Sequence, residues 1–304
     1  MDFRKKTLFI VIGVIVVYAL FVIFSDVSLL IEKLQDFDSK YLFVILPLIL
    51  LSYLVRGMRW NMLLKSLGIN MTVKQSLEIY FAGLAFGITP AKIGEVVKSY
   101  ILKKNHSQPI SKTAPIVFIE RYYDLVGIIL ISLIGIWFVN LEKIMIILLF
   151  IGVVSILVIS QRRSLVESIL KKISTIPILK KYLVNILSTF DSIHVLLHPR
   201  IYTKGIAYSI LAWGIESLAV YMIFQGFKIE LDFPIVVLIF TLSTIIGGLS
   251  MLPGGIGVTE GGMLGLLLLH NIDYTIAFGL VLMIRVCTLW FSVIIGIIFL
   301  KFKI

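Results

Sequence analysis

Residues 252–260, Leu-Pro-Gly-Gly-Ile-Gly-Val-Thr-Glu, place four helix breakers inside a run otherwise apolar enough for a bilayer. Lipid holds no water to satisfy freed amides and carbonyls. Irregular backbone at membrane depth therefore persists only when it is buried in protein or lines a polar cavity. A second break, residues 89–95, Thr-Pro-Ala-Lys-Ile-Gly-Glu, aligns with the first without a gap: Pro90 on Pro253, Ile93 on Ile256, Gly94 on Gly257. Each break precedes a long apolar segment with one arginine at nearly the same offset, Arg121 lying 31 residues past Pro90 and Arg285 lying 32 past Pro253. We read this as an internal repeat. Gly/Pro-interrupted segments at corresponding positions of two halves point to the binding site of a transporter.

The rest of the chain gives these breaks a bilayer to sit in. Hydrophobic residues make up 59% of it, against roughly 45–50% in a soluble domain, so the expected class is an all-α polytopic membrane protein. The 28 Lys and Arg against 17 Asp and Glu leave a net +11. In so hydropathic a chain that surplus reports topology and attraction to anionic headgroups, not nucleic acid. Cys287 is the single cysteine, which excludes a disulfide frame and a thiol-metal site. His194 and His198 with Asp191 have helical spacing but end an amphipathic helix before Pro199; neither a metal nor a cofactor is expected.

Charge bias and segment length then give a topology. Residues 7–24, behind Arg4, Lys5 and Lys6, read as an uncleaved anchoring helix with its N-terminus in the cytoplasm. Residues 41–64 return inward. Residues 75–89 and 91–102 flank the first break and reach only roughly 22 and 18 Å, short of the ~30 Å hydrocarbon core, which predicts a re-entrant hairpin. Residues 113–138 cross and 144–161 cross back; 162–202 are basic and form cytoplasmic amphipathic helices; 203–225 cross outward. Residues 234–251 and 258–269 form a second hairpin entered from the opposite side, and 274–300 cross inward to a cytoplasmic C-terminus. The expectation is one multi-pass cell-membrane domain of about six full crossings and two re-entrant hairpins. Its halves, 41–138 and 203–300, form an inverted repeat. Two hairpins and two full crossings leave the same loop charges, so length alone argues for re-entry.

A charge at mid-bilayer costs about 2.5–3.5 kcal/mol on insertion scales, so such groups face the interior and pair. Arg56, Arg59, Arg121 and Arg285 fall near broken backbone if the repeats pack face to face, and guanidinium donors suit a phosphate. Lys98, on the helix after the first break, joins them. Helices starting at the breaks would add amides and positive dipole ends, so an anion is the expected guest. Glu95 and Glu260 would sit in the first turn of those helices, either capping them, pairing with an arginine or carrying protons. Glu120, Arg121 and Asp124 lie on neighbouring helical faces, as a structural ion pair or as ligand contacts. Arg56 and Arg59 could instead snorkel to the inner interface. Pro90, Gly94, Pro253, Gly254, Gly255 and Gly257 would shape the loops, with close helix packing as the plainer alternative.

Five motifs in this order carry a resemblance: Arg56-Gly-Met-Arg-Trp60, the residues 89–95, Glu120-Arg-Tyr-Tyr-Asp124, the residues 253–260, and Arg285. The pattern resembles the lysylphosphatidylglycerol synthase transmembrane, or flippase-like, family over nearly the whole chain. In its larger members the membrane part precedes a soluble aminoacyl-transferase domain and is implicated in moving lysyl-phosphatidylglycerol between leaflets. No such transferase domain is recognisable here. The resemblance implies translocation of an anionic phospholipid or a polyprenyl-phosphate-linked lipid and no catalysis by the chain itself. Two alternatives stay open: the membrane part of a lipid-modifying transferase, acting with a partner transferase or through Glu95, Glu120 or Glu260, and a non-catalytic lipid-binding subunit. Self-association also stays open.

Overall fold

The computed structural model describes residues 35–138 and 183–301. The anchor expected over residues 7–24, the crossing over 144–161 and the larger part of the amphipathic region from 162 lie outside them. Among the described residues every regular element is helical.

The 3-10 turn Ser39–Tyr41, capped by the Asp38 carboxylate accepting from the Lys40 amide, opens α1, Leu42–Ser66. Thr72 and Gln75 form a capping box, satisfying orphan amides reciprocally, and start α2, Val73–Leu84. The first break follows, and here the structure corrects the sequence: residues 91–102 do not form one helix. Pro90–Val96 is a 3-10 segment, and α3, Val97–His106, begins only after it. Thr89 causes the difference. Its Oγ1 donates to the Phe86 carbonyl at 2.7 Å and accepts from the Gly94 amide at 2.8 Å, drawing the chain into a tight turn that leaves Lys92 left-handed at φ +55°. Glu95 therefore lies in the 3-10 segment and not in the first turn of an α-helix. The long α4, Ile110–Phe138, contains Pro115.

In the other half, α5, Leu183–Leu196, is the described part of the amphipathic region and docks on α4, where Thr189 Oγ1 donates to the Ser111 carbonyl at 3.0 Å. α6, Pro199–Gly226, starts four residues before the expected 203 because Pro199 sits at N1, where a missing N–H costs nothing. α7, Phe233–Leu249, leads to the 3-10 turn Pro253–Gly255. α8, Val258–Leu269, has the boundaries expected of it, with Glu260 in its first turn. Last come α9, Tyr274–Arg285, a π-helical segment Val286–Trp290 and α10, Phe291–Lys301. They form one continuous span whose π segment begins at the residue after Arg285, a distortion that sequence periodicity does not reveal. Such segments concentrate at functional sites.

Ser39–Ser66, Pro199–Gly226 and Tyr274–Lys301, each of 28 residues, are long and apolar enough to cross a membrane. α4 has comparable length, 29 residues, and carries Glu120, Arg121 and Asp124. α1 packs against α6 at the centre of the bundle. Around that pair, α2 meets α1, α3 and α10, while α7 meets α6, α8 and α4; α3 packs on α4 and α8 on α9. Exchanging α1 with α6, α2 with α7, α3 with α8 and α4 with the α9–α10 span maps the α1–α6 contact onto itself and each of the others onto another of them. The two broken segments, Pro90–Val96 and Pro253–Gly255, touch one another.

Candidate functional site

Where the breaks meet, a cavity of about 160 Å³ opens among α1, α2, α4, α6, α7, both breaks and the α9–α10 span. Its walls mix Tyr53, Tyr80, Trp213, Phe240 and Leu289 with the charged side chains of Arg56, Lys92, Glu95, Arg121, Asp124, Glu216 and Arg285. Local backbone holds it open. Gly254 and Gly255 are left-handed at φ +60° and +65°, conformations glycine adopts without penalty. The Arg285 guanidinium donates to the Gly254 carbonyl at 2.6 Å, so the turn is fastened to the far span. Glu260 does two jobs: one carboxylate oxygen accepts from the Gly257 amide at 2.7 Å and the other from Arg285 Nε at 2.7 Å.

The charges form a network. Arg56 Nη1 lies 2.6 Å from Glu216, and its guanidinium covers the Trp213 ring at 4.7 Å. Arg59 Nη1 lies 2.6 Å from Asp124 and also donates to Ser209 Oγ. Lys98 Nζ bridges Glu95 at 2.9 Å and Glu120 at 2.7 Å and sits over the Trp60 ring at 4.5 Å. Arg121 reaches Glu95 at 3.3 Å and Asp124 at 3.4 Å. Five cations, Arg56, Arg59, Lys98, Arg121 and Arg285, thus face five carboxylates, Glu95, Glu120, Asp124, Glu216 and Glu260. Pairing is what lets so many charges stay in a low-dielectric interior. Lys92 is the sixth cation and has no ion pair among the described residues. Among those residues no group of His, Cys, Asp and Glu is arranged to hold a metal.

The profile of the family described as the lysylphosphatidylglycerol synthase TM region matches residues 10–296. The chain belongs to this family. Three relatives are archaeal membrane proteins. A UPF0104 membrane protein of Methanocaldococcus jannaschii is 30% identical over 68% of this chain and 88% of its own length. Another, of Methanothermobacter thermautotrophicus, is 26% identical over 98% of this chain and 94% of its own length. A third, of Pyrococcus horikoshii, is 25% identical over 96% and 95%.

In this family member the residues singled out from sequence fall into three groups. Arg56, Glu95, Arg121, Asp124, Gly254, Gly255 and Arg285 line the cavity. Arg59, Lys98, Glu120 and Glu260 stand directly behind, buried, holding the lining groups in place. Pro90, Gly94, Pro253 and Gly257 shape the two breaks and do not line the cavity. Neither Arg56 nor Arg59 snorkels: the Arg59 side chain is 0% exposed and that of Arg56 9%. Sequence reasoning passed over Lys92 although it lies inside the quoted motif, and it left Glu216 without an assignment. The signal for Glu216 was the need of Arg56 for a partner, but nothing in the spacing named which carboxylate would cross from α6.

Proposed function

We propose that this chain is a membrane lipid translocator, in which an anionic headgroup enters the cavity while its tails stay in the bilayer. The observation that carries the reading is the meeting of the two broken segments around a cation-lined cavity. Broken backbone inside a membrane protein marks a polar site, and this one has about 160 Å³, below the roughly 300–1,000 Å³ of pockets that swallow a drug-sized ligand. A headgroup fits and a whole lipid does not. Arg121, its side chain 25% exposed and its two carboxylate partners at 3.3 and 3.4 Å, has no partner as near as those of Arg56 at 2.6 Å and Arg285 at 2.7 Å. A phosphate oxygen competes for that guanidinium more readily than for Arg59, which is sealed behind it.

The exchange pattern of helix contacts supports two repeated halves, 41–138 and 203–300, in one membrane domain, and the charge bias of the loops supports their inversion. Rocking of these halves about the shared cavity would open it to either leaflet in turn. A cytoplasmic position for both termini is part of this reading, and its support is the positive-inside rule. Each cavity carboxylate is engaged by a cation, which favours binding and movement over acid–base catalysis.

The test is leaflet exchange of fluorescent phosphatidylglycerol in liposomes holding the purified chain. Exchange well above protein-free liposomes is expected, and Arg121→Ala should lose it while keeping its fold. Exchange at the protein-free rate, or exchange indifferent to Arg121→Ala, would contradict the proposal.

A further inference from the structure

Lys92 differs from the other cations of the cavity in three ways. It is exposed at the cavity wall where they are wholly or largely buried, it lacks a carboxylate where each of them has one, and its backbone is left-handed at φ +55°. Side chains other than glycine rarely adopt that region, and residues held there concentrate at ligand clamps. The turn enforces it: the Lys92 amide donates to the Thr89 carbonyl at 2.8 Å, and Thr89 Oγ1 pins Gly94 from the other side at 2.8 Å. A Cβ on Gly94 would come within 2.8 Å of that same hydroxyl, so the staple needs glycine there. Two more donors are unspent. Trp213 Nε1 and Arg121 Nε are buried, have no hydrogen-bond partner, and belong to side chains that line the cavity. Unpaired buried donors are costly, and a ligand that supplies acceptor oxygens removes the cost.

We propose that the cavity selects lipids whose headgroup is joined through a single phosphodiester of charge −1, with Lys92 as its charge-matching contact. The inference rests on the translocator reading above and narrows its substrate class. With the other cations and carboxylates in balance, one surplus positive charge remains. A phosphodiester monoanion neutralises it. A diphosphate linkage brings more negative charge than the cavity offsets, and an aminoacylated headgroup with net positive charge faces Lys92 as a like charge. Both outcomes leave like charges facing one another and are disfavoured relative to the monoanion. Lys92, Trp213 and Arg121 all line this one cavity, and each brings a donor with no partner among the described residues.

The test is lipid binding to the purified chain in detergent, followed by native mass spectrometry, with competition among phosphatidylglycerol, a polyprenyl diphosphate and lysyl-phosphatidylglycerol. Phosphatidylglycerol should bind at least about tenfold tighter than either competitor, a gap of about 1.4 kcal/mol. Lys92→Gln should erase the preference and Lys92→Arg should keep it. Lys92→Gly, which relieves the backbone strain, should lose the preference with no fall in melting temperature, separating charge from folding. Equal or tighter binding of the diphosphate or the lysyl lipid, or an unchanged preference in Lys92→Gln, would overturn the inference. So would inorganic phosphate displacing the lipid at equal concentration, since that marks a free-anion site. Preference for the monoanion without any leaflet exchange would sink the translocator reading alone; exchange without charge preference would sink this one alone.

Discussion

Arg285 Nε lies 2.7 Å from the Glu260 carboxylate, tying the helix after the second break to a span that returns past it 25 residues later. The first half repeats the arrangement across 26 residues, with Arg121 at 3.3 Å from Glu95. The two ties are not equivalent. The Arg285 side chain is 9% exposed and that of Arg121 is 25% exposed, so the first tie is the more enclosed and the second is the more accessible.

Breaking the more enclosed tie should be expensive. Arg285→Ala takes the guanidinium from a buried carboxylate and frees the Gly254 carbonyl, and removal of one partner of a buried pair costs about 3–5 kcal/mol. Glu260→Gln should cost less, since its side chain can still accept from the Gly257 amide. The double variant should be less destabilised than the sum of the two. Denaturant unfolding of the four proteins in detergent measures this coupling.

Arg59 and Arg121 should separate stability from transport. Arg59 is fully buried against Asp124 and Ser209, and Arg59→Met should lower stability by about 3–5 kcal/mol. Arg121→Gln, at a partly exposed and loosely paired position, should cost about 1 kcal/mol or less while cutting leaflet exchange at least tenfold. Thermal unfolding read beside the liposome assay checks both.

The bundle also depends on one close backbone approach. A Cβ on Gly296 of α10 would stand 2.0 Å from the Ala85 amide nitrogen at the end of α2, and no side chain is there to yield. Gly296→Ala should force the helices apart and cost about 1–3 kcal/mol. Gly265 of α8 has nothing within 4 Å of its Cβ, so Gly265→Ala should be neutral or gain up to about 1 kcal/mol from helix propensity. Melting temperatures of the two variants give the comparison.

The parts of this architecture visible in the sequence were those that breakers and charges report. Pro90 and Pro253 marked the breaks, the matched offsets of Arg121 and Arg285 paired them, and the glycine at 257 with Glu260 three residues on announced the start of α8. Long-range partners were not visible, because nothing local distinguishes Glu216 from any other intramembrane acid until α6 is laid against α1. The 3-10 course of Pro90–Val96 depends on a Thr89 side chain turning back on its own backbone, which propensity does not encode. Lys92 escaped notice for the same reason: its motif gives its identity, while its significance lies in a left-handed φ and in the carboxylate it lacks. The π segment after Arg285 inserts no breaker, so an apolar run conceals it.

The central claim is that the two breaks form one moving site, and a cross-link between them tests it most directly. A Cβ built on Gly254 lies 3.2 Å from Ile88 Cγ1, the atom whose place a cysteine sulfur would take, so the two positions suit a disulfide test. With Cys287 replaced by alanine, the Ile88→Cys, Gly254→Cys protein should exchange phosphatidylglycerol between leaflets when reduced, stop when oxidised, and recover on addition of reductant. The strain of cysteine at φ +60° is common to both states and cancels in that comparison. Exchange that continues unchanged with the cross-link complete would contradict the account.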